Sequence, residues 1–410
     1  MKKNILNIIY EILAFFTRIY IKRTNPFVIW ITWSVWKTSC RMIVFQILEK
    51  YIKGKKIYTS PKNFNSELWL VFSIFKIEKF NPWIKSLIKV AFKIIKLSIF
   101  WKKQYEVLLL EYWVDHPWDM DFLLTIVKPN ISVFTKLDSI HIENFQNINQ
   151  ILKVKIKLID NSKDISFLNY KDNYLKNIFD SIKWKKQYYW KQKVLWNYLL
   201  KGDNIVSEIN FWKNIIQTNI LGEENYLYIE LWFKILDYLK INYPLDNYLE
   251  LKNQWWRFSI FKWVNNSILI DSTYNAWPES MKKMIENTIS IRDNLFSDYK
   301  LWFIMWDMRE LWKYSEEKHK EIFDLVKNSD LLLSIWKETK KYFWKQVKNF
   351  ISSKEAWKYL KEALEKTKEK YVILFKWSQN TIFCEEALKE ILKDKNDIKK
   401  LVRQETYWEK

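Results

Sequence analysis

The residues with the clearest chemical role are Lys37 and Thr38, which follow an apolar run and a short loop. Residues 27–52 read FVIWITWSVWKTSCRMIVFQILEKYI, which is typical of a strand, a loop and a helix. Lys-Thr at a helix start can hold phosphate, because backbone N–H groups face the anion, the lysine reaches the β- and γ-phosphates and the threonine hydroxyl binds Mg²⁺. Such a loop normally contains glycine, whereas this loop contains Trp33 and Trp36.

Glycine is scarce throughout the chain and tryptophan is abundant. The 410 residues include 3 Gly and 25 Trp, whereas an average protein has roughly 7% glycine. An enzyme of this length cannot form its tight turns with so few residues that tolerate positive φ. Trp also lies where turns are expected, as in WW at 255–256, AWP at 276–278 and PWD at 117–119. We therefore interpret many Trp as positions of glycine, as reading the UGA codon as glycine would produce. A truly Trp-rich protein is the alternative.

With glycine at 33 and 36, the loop reads TGSVGKTS and can cradle phosphate. Its spacing differs from the strict GxxxxGK[ST] form, because Ile31 lies five residues before Trp36. The version TGxxGKT resembles the phosphate-binding loop of the Mur ligases. The residues that this resemblance implies for ATP binding in the loop are Thr32, Trp33, Ser34, Val35, Trp36, Lys37, Thr38 and Ser39.

Residues 108–145 resemble the next stretch of that family, in which a glutamate ends a strand, an acidic turn follows and a histidine comes last. Glu111 and His141 fall on the two family positions that hold Mg²⁺. Mg²⁺ is a hard cation that prefers carboxylate, hydroxyl and water oxygens, and a histidine can complete its shell. The resemblance therefore implies a magnesium site formed by Thr38, Glu111 and His141.

The segment ILKVKIKL at 151–158 resembles the stretch that carries a carbamylated lysine in the family. Lys155 is our choice for this lysine, with Lys153 and Lys157 as close competitors, and an exposed helical face explains such lysines equally well. Upstream, TSPKNFNSELW at 59–69 resembles a substrate-binding segment. The implied catalytic residues are Lys37, Lys155 and His141, and the implied substrate residues of the 59–69 segment are Asn63 and Asn65.

Further motifs follow in the family's order. NILGEENYLY resembles a helix start near the adenine, with Asn225 in place and Glu224 where histidine is usual, and QWWRF supplies Arg257 for the ATP phosphates. ILIDSTYNAWPESMK at 268–282 is very similar to a segment of the branch that adds D-alanyl-D-alanine. In that segment the resemblance implies ribose binding by Asp271 and substrate contacts by Tyr274 and Asn275.

The implied fold class is α/β, with a central P-loop Mur-ligase domain followed by a Rossmann-like α/β domain. Short apolar runs that alternate with helical stretches independently favour parallel βαβ units. We expect an N-terminal apolar helix at 1–25, the ATP-binding domain at 26–248 and the C-terminal ligase domain at 249–410. Family members carry an N-terminal domain that binds the uridine nucleotide. We expect that binding here to be reduced, moved to residues 70–105, or supplied by a membrane surface.

The resemblance implies an ATP-dependent amide ligase of peptidoglycan precursor synthesis. ATP would phosphorylate a peptide carboxylate to an acyl phosphate, and an amine would then displace phosphate. The implied partners are ATP, Mg²⁺, a UDP-muramoyl-tripeptide and D-alanyl-D-alanine, and the enzyme is expected to be a cytoplasmic monomer. The rival interpretations are a folylpolyglutamate synthase-like ligase with the same ATP residues, a non-catalytic scaffold, and a basic, aromatic-rich protein that binds nucleic acid.

Net charge limits the classes of binding partner, and cysteine content indicates the redox compartment. The net charge of +21 suits nucleic acid, a membrane surface or an anionic substrate. Lysine is spread through the whole chain without a compact basic tail, which argues against nucleic-acid binding. Cys40 and Cys384 are isolated, which is typical of a reducing compartment.

Two apolar stretches are candidates for peripheral contact with a membrane. Residues 5–21 carry Glu11 and Arg18 and lack a cleavage site, so they predict neither a signal peptide nor a spanning helix. Residues 84–101 place lysines at helical spacing beside apolar residues. Amphipathic helices packed on the domain are the favoured interpretation of both stretches, and helices lying on a membrane surface are the alternative.

The glycine interpretation predicts that the chain produced with tryptophan at 33 and 36 binds ATP poorly. Trp33→Gly with Trp36→Gly should recover binding measured by titration calorimetry, because both changes remove a ring from the phosphate space and restore access to positive φ. The effect is steric, so it should persist across pH and salt. An intact mass of the native protein that matches 25 tryptophans would refute the interpretation.

Overall fold

A computed structural model of the chain describes most residues and groups them into two compact units. The first unit comprises Met1–Lys193 with Leu227–Pro244, and the second comprises Val194–Tyr226 with Leu245–Lys410. The described residues are 2–32, 37–60, 67–78, 84–100, 102–111, 116, 118–137, 148–190, 194–211, 214–244, 248–251, 258–262, 266–273, 276–308, 311, 314–343, 347–376, 388–389, 392 and 394–401.

The first unit is built on a six-stranded sheet whose strands all run parallel, in the order β2-β3-β1-β4-β5-β6. Its strands are β1 (Phe27–Thr32), β2 (Ile57–Thr59), β3 (Val107–Glu111), β4 (Ile131–Phe134), β5 (Ile165–Asn169) and β6 (Lys186–Tyr189). Its helices are α1 (Lys2–Thr24), α2 (Lys37–Tyr51), α3 (Glu67–Ile74), α4 (Ile84–Phe100), α5 (Asp119–Ile126), α6 (Ile148–Asp160), α7 (Asn173–Ile178) and the part of α8 (Glu223–Tyr238) from Leu227 onwards.

The central strand β1 is buried because its side chains are apolar on both faces. Val28 to Ile31 are at most 1% exposed, as expected of a parallel strand covered by helices on both sides. The predicted strand 27–31 is therefore confirmed, and the run 107–113 forms the neighbouring strand β3 over Val107–Glu111. Among the described residues, no helix is both long and apolar enough to cross a bilayer.

The second unit contains two sheets. A four-stranded sheet has the order β10-β9-β8-β7, with β7, β8 and β9 antiparallel. A six-stranded sheet has the order β11-β12-β16-β13-β14-β15 and is parallel except for its edge strand β11. The elements of the second unit are β7 (Leu195–Lys201), β8 (Asn204–Phe211), β9 (Asn214–Thr218), β10 (Tyr248–Leu249), β11 (Ser259–Lys262), β12 (Ile268–Ser272), α9 (Pro278–Leu295), β13 (Lys300–Trp306), α10 (Ser315–Val326), β14 (Leu331–Ile335), α11 (Lys337–Tyr342), β15 (Lys348–Phe350), α12 (Ser353–Glu365), β16 (Tyr371–Lys376) and a 3₁₀ helix (Lys395–Lys400).

The antiparallel strands at 195–218 are a feature that sequence analysis did not anticipate. They belong to the second compact unit, whereas the predicted division placed residues up to 248 in the ATP-binding domain. Tyr198 of β7 lies in the same core cluster as Met281 and Ile285 of α9, which explains the grouping. The division at 1–25, 26–248 and 249–410 stays a prediction.

Four of the described tryptophans show opposite backbone preferences. Trp336 has φ 93° and ψ −161°, and Trp190 has φ 63°. The first of these conformations is essentially restricted to glycine. Trp232 and Trp357, in contrast, lie inside α8 and α12, where glycine is unfavourable. The backbone therefore favours glycine at some of these positions and disfavours it at others.

Comparing glycine with alanine at Trp336 isolates the backbone contribution, because both substitutions remove the ring. We expect Trp336→Gly to be more stable than Trp336→Ala by roughly 1 kcal/mol or more, since alanine retains the Cβ that opposes positive φ. At the matched helical position, Trp357→Gly should be less stable than Trp357→Ala by about 1 kcal/mol. Urea unfolding measures all four variants. The same order of stability at both positions would contradict the assignment of strain to Trp336.

Candidate active site

The polar residues of the first unit gather where β1, β2 and β3 end. These strands are adjacent and parallel, so their carboxyl ends lie at one edge of the sheet. Thr32, Thr59 and Glu111 are the last residues of the three strands. Ligands of open α/β sheets bind outside this edge, which makes it the candidate active site.

Helix α2 brings Lys37 and Thr38 to this edge at its first turn. Both side chains are buried, at 4% and 3% exposure. The Thr38 hydroxyl donates a hydrogen bond to Oε1 of Glu111 over 2.9 Å. Since the N-terminus of a helix carries partial positive charge, the helix start and the Lys37 ammonium create a site for a polyanion.

Arg41 is a residue of this site that sequence analysis did not single out. It is 1% exposed, its Nε lies 3.1 Å from Oε2 of Glu111, and its Nη1 donates to the Thr59 hydroxyl over 2.7 Å and to the Ser60 carbonyl. Glu111 is thus held by hydrogen bonds from Thr38 and Arg41, which are one turn apart on α2. The sequence spacing could have indicated Arg41, because a residue four positions after Lys37 lies on the same face of the helix.

The donors at this edge fit a magnesium ion with a nucleotide phosphate. The Thr38 hydroxyl and the Glu111 carboxylate are oxygen ligands of the kind that Mg²⁺ takes. The Thr32 hydroxyl is fully buried and finds no hydrogen-bond partner among the described residues, which is rare for a buried polar group and points to a missing ligand. Within the same residues no group of three or more His, Cys, Asp and Glu forms a metal cluster.

Cys40 lies in the first turn of α2, between Lys37 and Arg41, and is fully buried. Burial, followed by the nearby charge of Glu111, raises the pKa of its thiol well above the ordinary value. Ser39, its neighbour and a predicted ATP-binding residue, is half-buried in the first turn of α2.

The lysines of α6 differ in burial. Lys155 is 4% exposed, whereas Lys153 is exposed and Lys157 pairs with Asp121 over 2.6 Å at the surface. The interpretation of all three as an exposed helical face is therefore wrong for Lys155. Its carbamylation and catalytic role stay predictions.

In the second unit, Asp271 and Lys376 lie at the ends of adjacent strands. Asp271 is fully buried in β12 and accepts a hydrogen bond from the Thr273 backbone over 2.9 Å. Lys376, at the end of β16, is 2% exposed and donates to the Ser272 carbonyl and hydroxyl over 3.1 and 3.2 Å. Lys376 is a second buried cation that the predicted site residues did not include.

Asn225 and Glu224 lie in the first turn of α8. The Asn225 side chain donates to the Leu221 carbonyl over 2.6 Å, which closes the turn before the helix. Glu224 is buried and accepts from the Asn287 amide over 3.3 Å, and burial raises the pKa of its carboxyl. Glu224, which stands where the family has histidine, therefore has a partner within the second unit.

The remaining predicted site residues lie outside the described residues. They are Trp33, Ser34, Val35, Trp36, Asn63, Asn65, His141, Arg257, Tyr274 and Asn275.

Comparisons with known proteins agree with this architecture. Residues 31–226 match the model of the Mur ligase middle domain. The UDP-N-acetylmuramoyl-tripeptide–D-alanyl-D-alanine ligase of Buchnera aphidicola is 27% identical over 403 residues, with 90% of this chain and 76% of that protein covered. The chain is thus similar to Mur ligases along most of its length. The predicted enzyme class, an ATP-dependent, ADP-forming amide ligase, is confirmed.

Solved structures share the Mur ligase fold with this chain. The MurF ligase of Thermotoga maritima, solved in complex with ADP, has a TM-score of 0.74 at 20% identity, covering 95% of this chain and 84% of that one. A MurF structure from Acinetobacter baumannii has a TM-score of 0.72 at 16% identity, covering 93% and 80%. The predicted α/β fold, a P-loop domain followed by a Rossmann-like domain, is confirmed.

Removal of Arg41 should destabilise the protein more than removal of a surface cation of the same unit. Arg41→Ala leaves Glu111 without one of its two partners, and breaking a buried ion pair costs about 3 kcal/mol. Lys157→Ala, which loses only a pair whose side chains are 42% and 58% exposed, should cost less than about 1 kcal/mol. Urea unfolding measures both, and Arg41→Lys should recover part of the loss. Equal small losses for Arg41→Ala and Lys157→Ala would contradict the role assigned to Arg41.

Proposed function

We propose that this Mur ligase joins D-alanyl-D-alanine to a UDP-muramoyl-tripeptide with hydrolysis of ATP. The observation that carries the proposal is the similarity to the Buchnera ligase of that name along 90% of this chain. The segment DSTYNAWPESM at 271–281, which resembles the same branch of the family, supports it. The buried Lys37 at the start of α2 supports the use of ATP, and the Thr38 and Glu111 oxygens support the use of Mg²⁺ with it.

The proposed reaction has two steps. A carboxylate oxygen of the peptide attacks the γ-phosphorus of ATP, the bond to the bridging oxygen breaks, and ADP leaves as an acyl phosphate forms. The amino group of D-alanyl-D-alanine then attacks the acyl carbon and loses a proton, and phosphate leaves as the amide bond forms. Negative charge increases on the phosphoryl oxygens in the first step, so donors that are already in place lower its barrier.

The roles of the residues follow from this chemistry. Lys37 and the start of α2 would face the phosphates, and Thr38, Glu111 and His141 would hold Mg²⁺, which would neutralise phosphate charge. Arg41 fixes the Glu111 carboxylate in the direction of the Thr38 hydroxyl. The further assignments are a carbamylated lysine at Lys155, and nucleotide or substrate contacts at Asn63, Asn65, Asn225, Arg257, Asp271, Tyr274 and Asn275.

The proposed reaction takes place in the cytoplasm. Nucleotide-linked precursors and ATP are cytoplasmic metabolites, so the enzyme acts in the cytoplasm. The isolated cysteines agree with a reducing compartment. A monomeric enzyme is part of the same proposal.

Substrate preference tests the proposal. With Mg-ATP and a UDP-muramoyl-tripeptide, D-alanyl-D-alanine should release phosphate faster than free amino acids do. Lys37→Ala should lower that rate on the order of a hundredfold or more, because it removes a donor to the developing phosphate charge. Lys53→Ala, an exposed lysine just after α2, is the matched control and should leave the rate unchanged. Circular dichroism checks that both variants fold.

Two results would refute the assignment. A preference for a folate with glutamate would make the chain a folylpolyglutamate synthase-like ligase. Normal ATP turnover in folded Lys37→Ala protein would show that the start of α2 does not bind the nucleotide.

A further inference from the structure

Helices α1 and α4 carry an apolar surface that the first unit leaves exposed. We call it the α1/α4 surface, and it consists of six large side chains. Fifteen large apolar side chains are exposed among the described residues, and these two helices hold six of them. The six are Ile12 at 46%, Phe15 at 55%, Ile88 at 63%, Phe92 at 69%, Ile99 at 52% and Phe100 at 74% exposure. Single exposed apolar residues are ordinary, whereas a concentration on neighbouring helices indicates an interaction surface.

The exposed side chains are distinct from those that pack the helices onto the unit. Helix α4 buries Val90, Ile94 and Ser98 against the core of the unit. The two helices also contact each other directly, as Arg23 of α1 donates to the Ser98 carbonyl over 3.3 Å. The fold thus uses one face of α4 and leaves a second apolar stripe uncovered by the described residues.

Helical periodicity places the stripe beside a row of lysines. With 3.6 residues per turn, Ile88, Phe92 and Ile99 fall within about 40° of one another around α4. Lys89 and Lys96 follow at about 40–60° beyond the edge of that stripe, and both are exposed. Helix α4 contains no acidic residue. Apolar side chains bordered by lysines are the pattern of a helix that lies in the interface of a bilayer.

The charges around the surface point to an anionic occupant. Lys102 and Lys103 follow α4 and are exposed, as are Lys22 and Arg23 at the end of α1. The acidic side chain on this part of α1, Glu11, is already paired with Arg18 over 3.4 Å. A protein partner would need an apolar patch with acidic flanks, whereas an anionic phospholipid bilayer offers both features continuously.

We propose that the α1/α4 surface docks this enzyme on an anionic phospholipid bilayer. The apolar stripe enters the boundary between headgroups and acyl chains, while the lysines contact lipid phosphates. Docking of this kind needs no membrane-spanning helix and leaves the carboxyl edge of the parallel sheet to carry the ligase chemistry. This inference is independent of which amine the ligase adds.

Sedimentation with lipid vesicles tests the proposal on the full chain. We expect binding to vesicles of phosphatidylcholine with phosphatidylglycerol, and much weaker binding to phosphatidylcholine alone. Binding should weaken as salt is raised, because the lysine contribution is screened. The combined variant Ile88→Ser with Phe92→Ser should bind at least roughly tenfold more weakly, since it removes the inserted apolar groups.

Lysine substitutions separate the electrostatic part of the binding. Lys89→Gln with Lys96→Gln should lower affinity for the anionic vesicles by roughly fivefold per lysine. The matched controls lie on the second unit, where Leu195 and Ile351 are 61% and 76% exposed and Lys354 and Lys361 are exposed on α12. Leu195→Ser with Ile351→Ser, and Lys354→Gln with Lys361→Gln, should leave vesicle binding unchanged.

Three outcomes would overturn the proposal. The first is no sedimentation with anionic vesicles. The second is equal loss of binding in the control variants, which would show only the effect of the overall charge and apolarity. The third is self-association that depends on protein concentration and is lost in the Ile88→Ser, Phe92→Ser variant, together with no binding to vesicles. That result would identify a second copy of this chain as the occupant of the surface. Phosphate release with water-soluble substrates should be unchanged in every variant, so failure of docking and failure of the ligase assignment give different results.

Discussion

The hydrogen bonds that hold the Glu111 carboxylate determine the geometry of the rest of the active site. One oxygen accepts from Thr38 and the other lies against Arg41, whose guanidinium also reaches Thr59 and Ser60. An arginine at 1% exposure is costly to desolvate unless its charge and donors are matched. The pairing therefore joins α2 to the ends of β2 and β3, and it fixes the helix turn that carries Lys37.

That arrangement depends in turn on parallel strands. Antiparallel neighbours would place the end of β3 at the opposite edge, away from the end of β1. The apolar runs at 27–31 and 107–113 were sufficient to predict both strands, because strands buried on both faces need continuous apolar sequence. The alternation with helical stretches favoured a parallel sheet, whereas the order of the strands within it was not predicted. Arg41 was not predicted, since its role requires knowledge of which strand ends lie beside α2.

The antiparallel strands β7 to β9 show a different limit of prediction from sequence. The end of β8 does alternate, since Glu208 and Asn210 lie between buried residues, and Gly202, at φ 60°, lies in the turn before it. The burial of these strands comes from packing on α9, which lies about eighty residues later in the chain. Periodicity within a short segment cannot reveal such a contact. The same holds for Lys155, whose burial depends on how α6 packs. Three similar lysines at alternate positions gave no indication of which one is buried.

The position of Cys40 has a consequence for the reactivity of the protein. Its thiol is enclosed in the turn between Lys37 and Arg41, and burial together with the Glu111 charge keeps it in the neutral form. Because the thiolate is the form that reacts with electrophiles and oxidants, this sulfur is inert while α2 stays packed on the sheet. Any covalent labelling of Cys40 would therefore require transient separation of α2 from β1, and its rate would measure how often α2 opens.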